Sequence, residues 1–209
     1  MNIIPGILVK TLKELREELH KLSWAKKVHI DIMDGKFVHN KTITIHALKK
    51  AFPKADVQIH LMAHKPHRYI KPFARLGAKE FIFHAESTKH AADTLEMIRE
   101  TDMKAGIAFN PETRVEKDPV IHADIALVMT VHPGFAGQPL LKTPLHKINE
   151  IKKINPLIKV GVDGGVHTNT CKFVTKAGAD FAIATTEISH AEEPKQAYLR
   201  LMHRCRGTK

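Results

Sequence analysis

Short apolar or alternating runs recur along the chain, separated by stretches in which apolar residues repeat at helical spacing. Eight runs have the length and β-branched or aromatic content of strands: residues 3–8 (IIPGIL), 27–33 (KVHIDIM), 56–62 (DVQIHLM), 80–84 (EFIFH), 103–109 (MKAGIAF), 124–131 (DIALVMTV), 158–163 (IKVGVD) and 180–184 (DFAIA). Between them, sets such as Leu12, Leu15, Leu19 and Leu22, or Leu95 and Ile98, fall on one helical face, and Thr11, Thr88, Thr143 and Thr168 stand where N-caps are expected. A small-residue turn recurs ahead of strands, as in Gly77-Ala78-Lys79 and Gly178-Ala179-Asp180, with the chemistry of a helix ending before a strand.

Each strand is thus expected to be followed by one helix. Eight such units in 209 residues average about 26 residues each, which predicts a single (β/α)8 TIM barrel over residues 1–209 near the short end of its size range. No low-complexity segment or Pro/Ser-rich linker marks a domain boundary. A doubly wound open sheet would call for a glycine fingerprint after the first strand, and Gly6-Ile7-Leu8-Val9-Lys10 has none.

Composition narrows the classes. With 43% hydrophobic and 26% charged residues the chain is globular rather than disordered. A chain of this length buries roughly 70% of the surface it exposes when unfolded. No apolar stretch approaches the roughly 20 residues that span a bilayer, and MNIIPGILVK lacks a basic leader region, so neither secretion nor a membrane partner is expected. Two cysteines, Cys171 and Cys205, make no disulfide framework and no metal spacing, which points to a reducing, cytoplasmic setting. The balance of 33 Lys+Arg against 22 Asp+Glu gives +11. The basic residues are spread over many helices, including Lys49-Lys50 and Lys152-Lys153, with one concentration in the tail Arg200–Lys209. Aromatic residues make up only 6% and do not interleave with them, so a nucleic-acid partner is not expected. A diffuse positive field suits a small phosphorylated substrate better than a polymer.

In a barrel the chemistry lies at the C-terminal ends of the strands. Alternation places His29, Asp31 and Met33 on the inward face of the second strand, with Ile30 and Ile32 facing the helices. The third strand repeats this with His60 and Met62, and the seventh ends in Asp163 followed by Gly164-Gly165. A lone histidine among fifteen is more often a surface or core group than a ligand. Two imidazoles and two carboxylates converging from three strands are a different matter. His29, Asp31, His60 and Asp163 suit one divalent transition metal ion, with Zn, Fe, Co and Mn all acceptable on ligand type. His84, closing the fourth strand, reads either as support to this set or as a capped strand end. Met33, Met62 and Met129 are core filler by default, yet their place at strand ends suits a water-excluding cap over the ligands. The loops Gly134, Phe135, Ala136, Gly137 and Gly164, Gly165 have the composition of an anion cradle.

The strings Pro5-Gly6-Ile7-Leu8, HIDIMDGKFVHN from His29, HLM from His60, FHAES from Phe83, VMTVHPGFAGQ from Val128 and VDGGV from Val162 resemble, in this order and spacing, the ribulose-phosphate 3-epimerase family of metal-dependent barrel enzymes. The resemblance runs from about residue 3 to residue 188. It implies a metal on the same four residues, Asp31 and Asp163 as the acid/base pair, the three methionines lining the site and the two glycine loops holding a sugar phosphate. It further implies a homo-oligomer and D-ribulose 5-phosphate as substrate. Inversion beside a ketone removes a proton from one face and returns one to the other, which calls for two acid/base groups around a planar enediolate.

Departures from the family pattern concentrate in the phosphate half. Gly6 stands where the family usually has Ser, and Thr185-Thr186 followed by Glu187 replace the usual Gly-Ser pair. His39 replaces a Pro, and Ala136 a loop glycine. These substitutions keep two rivals in view, a paralogue acting on another ketose phosphate such as a ketohexose 6-phosphate and a catalytically silent barrel that binds a sugar phosphate or acidic partner.

Overall fold

The computed structural model describes residues 1–206. Its elements follow in the order β1 (Asn2–Ile7), α1 (Leu12–Lys21), β2 (Lys27–Met33), α2 (Ile45–Lys49), β3 (Asp56–Met62), α3 (His67–Leu76), β4 (Glu80–His84), α4 (Ala91–Arg99), β5 (Lys104–Phe109), α5 (Lys117–His122), β6 (Ile125–Met129), α6 (His146–Ile154), β7 (Lys159–Asp163), α7 (Cys171–Lys176), β8 (Phe181–Ala184), α8 (Thr186–Ser189) and α9 (Pro194–Arg206). The eight strands are parallel and close into a barrel in sequence order, with β8 returning to β1. The (β/α)8 fold expected from the pattern is the fold observed.

Three strands, β2 to β4, have the expected limits. Elsewhere the ends move. The sixth strand stops at Met129 because the Thr130 hydroxyl bonds across to the Gly164 carbonyl at 2.6 Å, while its own carbonyl accepts from Leu141 N at 2.8 Å, turning the chain into the loop. One helix per strand holds through α7, but β8 is followed by two, and α9 packs back against β1, with Ala197, Leu201 and Cys205 buried at four-residue spacing. Among the expected N-caps, Thr11 closes a full capping box with Glu14. Thr88, Thr143 and Thr168 do not cap their helices, whose N-caps are His90, Leu145 and Thr170. The turn glycines Gly77 and Gly178 are left-handed as expected.

Two apolar regions hold the barrel together. The larger lies between sheet and helices and takes the outward strand residues, Ile30 and Ile32 among them. The smaller fills the barrel axis with Ile4, Ile82, Ala108, Ile125, Leu127, Met129, Phe181 and Ile183. Asp31, His60 and Asp163 stand toward the C-terminal mouth on β2, β3 and β7, so their carboxylates and imidazole are held on rigid, hydrogen-bonded strands. No helix among the described residues is long and apolar enough to cross a membrane. Lys49 and Lys50 are exposed on their helix, and Lys152 pairs with Asp180 at 3.1 Å. The basic tail runs along α9, and its last three residues lie outside the described part.

Candidate active site

The parallel register sets Asp31 beside His60 and Met33 beside Met62, and aligns Met129 with Asp163. Neighbouring strands thus deliver ligand and cap at the same height. Met33, Met62 and Met129 are buried and line a mouth cavity of about 520 Å³ together with Asp31 and Asp163.

His29, Asp31, His60 and Asp163 converge, one donor atom of each lying within 4.8 Å of all the others. His60 Nδ1 is 2.8 Å from Asp31 Oδ1 and 3.4 Å from Asp163 Oδ2. His29 Nε2 lies 3.3 Å from Asp31 Oδ1 and 3.7 Å from Asp163 Oδ2. Asp163 is the most open of the four, at 13% of its side chain. His29 Nε2 is buried and has no hydrogen-bond partner, which is costly unless another acceptor of its lone pair is present. Two imidazole nitrogens, two carboxylates and one orphaned ring nitrogen aimed between them fit a divalent transition cation, whose charge the carboxylates balance.

The electrostatics agree. Burial alone would raise the Asp31 carboxyl, but the His60 hydrogen bond and the closeness of both imidazoles hold it well below the usual carboxylate range. Burial would lower the His60 imidazole, but Asp163 and Asp31 push it up to about 9, so without a metal a proton sits among the carboxylates.

His84 supports the ligand set. Its Nε2 is 2.9 Å from His60 Nε2 and its Nδ1 is 3.3 Å from Glu86 Oε2. An acceptor-only carboxylate at the end of this chain orients both rings, so that His60 presents Nδ1 to the cluster. Although burial opposes it, the contact with His84 and the Asn110 N–H lower the Glu86 carboxyl to about 2. Lys147, itself buried, donates to the carbonyls of Asn110 and Pro111 at 2.6 and 2.9 Å and fixes that loop.

The residues expected to form an anion cradle lie together. Gly134, Phe135, Ala136, Gly137, Gly164, Gly165, Thr185 and Thr186 all line the mouth cavity. Gly164 and Gly165 have φ of +115° and +65°, and a Cβ on Gly165 would strike the Leu140 backbone, so side chains are excluded there. The side-chain amide of Gln138 donates to His132 O and Phe135 O at 2.8 and 2.9 Å, and Asn40 Nδ2 to Gly134 O at 2.7 Å, tying the loop after β6 to the loop after β2. Phe135 is 62% exposed at the loop tip. Reading the sequence missed His167 and His190, which line the same cavity as the glycines. Both lie in loops whose course periodicity does not report. A larger cavity, about 1500 Å³, opens at the opposite end of the barrel and contains none of the four converging residues.

A parallel barrel with a buried His/Asp group fit for a divalent cation at the C-terminal mouth, beside a glycine-lined cavity, defines a metal-dependent (β/α)8 enzyme. The sequence profile described as the Ribulose-phosphate 3 epimerase family matches residues 2–189, and the chain belongs to that family. It is 35% identical to the ribulose-phosphate 3-epimerase of Bacillus subtilis (strain 168), over 94% of this chain and 96% of that protein. Identity to the cytoplasmic isoform of ribulose-phosphate 3-epimerase from Oryza sativa subsp. japonica is 34%, over 99% of this chain and 95% of that protein. Among solved structures, 3-hexulose-6-phosphate synthase from Salmonella typhimurium superposes with a TM-score of 0.71 at 17% identity, covering 98% of each chain, a likeness of fold alone.

Proposed function

We propose that this protein inverts carbon 3 of D-ribulose 5-phosphate to give D-xylulose 5-phosphate, with Asp31 and Asp163 as the two acid/base groups. The observation that carries the reading is the placement of these carboxylates. They rise from β2 and β7, strands separated by β1 and β8, and meet at one cluster under a cavity with an anion cradle on its other side. The ionised aspartate takes the C3 proton from one face of the sugar, and the other, protonated, returns one to the opposite face. Each turnover leaves their roles exchanged. Held by His29, Asp31, His60 and Asp163, a divalent cation would supply Lewis-acid neutralisation of negative charge on the substrate oxygens. Met33, Met62 and Met129 shut water away from the planar carbon.

Backbone N–H groups of Gly134 to Gly137 and Gly164 to Gly165, with the hydroxyls of Thr185 and Thr186, hold the phosphate. Residues 1–209 act as one catalytic domain. The cytoplasm is the setting this reading gives it, supported by the likeness to a cytoplasmic isoform. Exposed Ile121, Leu157 and Leu199 are apolar surface that assembly into a homo-oligomer would cover.

The test is deuterium wash-in from solvent at C3 of D-ribulose 5-phosphate with metal present. Exchange together with xylulose 5-phosphate formation is expected, and absence of exchange overturns the reading. A ketohexose 6-phosphate run alongside checks the sugar, because the substitutions at residues 6 and 185 touch the phosphate half.

A further inference from the structure

A chain of polar side chains runs down the barrel interior from the cation centre to the opposite face. His29 Nδ1 is 2.6 Å from Gln58 Oε1. Gln58 Nε2 donates to Glu80 Oε2 at 2.5 Å, and Lys27 Nζ pairs with that same oxygen at 2.6 Å. His29 and Gln58 are fully buried, Glu80 is 8% exposed, and only the Lys27 end reaches solvent, in the cavity at the N-terminal end of the barrel. The parallel register builds this chain, since His29, Gln58 and Glu80 are direct neighbours across β2, β3 and β4.

The chain has a direction. A carboxylate only accepts, so Glu80 obliges Gln58 to turn its NH2 downward and its carbonyl oxygen up. That oxygen can only accept in turn, so Nδ1 of His29 carries the hydrogen. The lone pair is then left on Nε2, the atom found buried and unpartnered among Asp31, His60 and Asp163. Lys27 balances the buried Glu80 charge, without which the anchor would itself be destabilised. We infer that Gln58, Glu80 and Lys27 are positioning residues that fix the tautomer and ring orientation of His29, so that the metal site is preset from the far face of the barrel before any metal arrives. The arrangement mirrors the His84–Glu86 chain behind His60, and each imidazole ligand is therefore directed by its own terminal carboxylate.

This inference rests on His29 being a ligand, and its test uses metal-free protein and needs no substrate. In chelator-treated protein labelled with 15N-histidine, the ring shifts of His29 are expected to report hydrogen on Nδ1, held toward Gln58 Oε1. Glu80→Leu frees the Gln58 amide to flip. It should give a mixed tautomer signal and about 10- to 100-fold weaker zinc binding, measured by chelator competition. The exchange Gln58→Glu with Glu80→Gln keeps the volume and the direction of donation from His29 while reversing the bond between positions 58 and 80, because a carboxylate at position 58 still accepts from Nδ1. It should restore the wild-type tautomer and zinc affinity to within about threefold. A folded Glu80→Leu protein with unchanged tautomer and zinc affinity overturns the inference. If Glu80→Leu fails to fold, the exchanged pair decides alone: tautomer and affinity retained support the inference, and either one lost overturns it. His29→Ala separates the two readings, since unchanged zinc binding there would remove His29 from the ligand set altogether.

Discussion

Gly6 and Thr185 compete for one space. A Cβ on Gly6 would overlap the Thr185 hydroxyl, which reaches across from the end of β8 to the end of β1. Position 6 and position 185 are therefore coupled as a steric exchange: a side chain at one excludes the side chain now present at the other.

Gly6→Ser alone should therefore overpack this corner and cost about 1–3 kcal/mol in urea unfolding, with a higher KM for the sugar phosphate. Thr185→Gly alone should raise KM without that stability loss. The double variant should recover both, a coupling visible in a double-mutant cycle. Simple additivity of the two changes would contradict the exchange.

Asp163→Asn should reduce C3 exchange and turnover by at least the ~10²- to 10⁴-fold expected for loss of one acid/base group, and by more because a ligand is lost as well. Its circular dichroism should match wild type, since Asp163 ends its strand with part of its side chain open. Retention of most activity would end the two-base assignment.

Metal removal should expose the raised His60. A ligand imidazole must be unprotonated, and metal-free His60 titrates at about 9, so zinc uptake near neutral pH should release about one proton, read by calorimetry in buffers of different ionisation enthalpy. Zinc affinity should fall as pH drops below 9. The metal-free protein follows the opposite trend. The His60 value is raised on folding, so its stabilisation is complete below about 6.5 and fades as pH rises through about 9. Urea midpoints of chelated protein should accordingly be higher at pH 6 than at pH 9.5 by this contribution, and His60→Gln should flatten the difference.

Glu86 gives the acid-side counterpart. Its folded value of about 2 lies below the ordinary 4.5, so its contribution is present above about 4.5 and disappears as pH falls toward 2. Wild type should exceed Glu86→Gln in stability by on the order of 2 kcal/mol at pH 6, and most of that gap should be lost by pH 2.5. A gap that does not change with pH would mean that the His84 contact carries no charge.

Much of this site could be read along the chain because strands give a strict two-residue alternation. Asp31 next to a known inward His29 must also point inward, and His60 and Met62 follow by the same step. The same step from His60 reaches Gln58, and from His84 it reaches Ile82 and then Glu80. Alternation thus places Gln58 and Glu80 on the inner wall, but not in contact. Loops have no such period. Hence Thr88, Thr143 and Thr168, plausible caps in one dimension, lose that role to residues fixed by the loops around them, and His167 and His190 went unnoticed.

The sequence by itself determined the number and order of the strands, the inward set His29, Asp31, His60 and Asp163, and the glycine loops, because each depends on local period or backbone freedom. Only the tertiary structure decided which atoms meet. It selected His29 Nε2 and His60 Nδ1 as the inward nitrogens, joined Lys27, Glu80 and Gln58 into one line, and set Thr185 into the space beside Gly6. The reason is physical: hydrogen-bond direction and steric exclusion are properties of pairs of groups brought together by barrel closure, and a linear pattern specifies which face a residue occupies but not the neighbour it finds there.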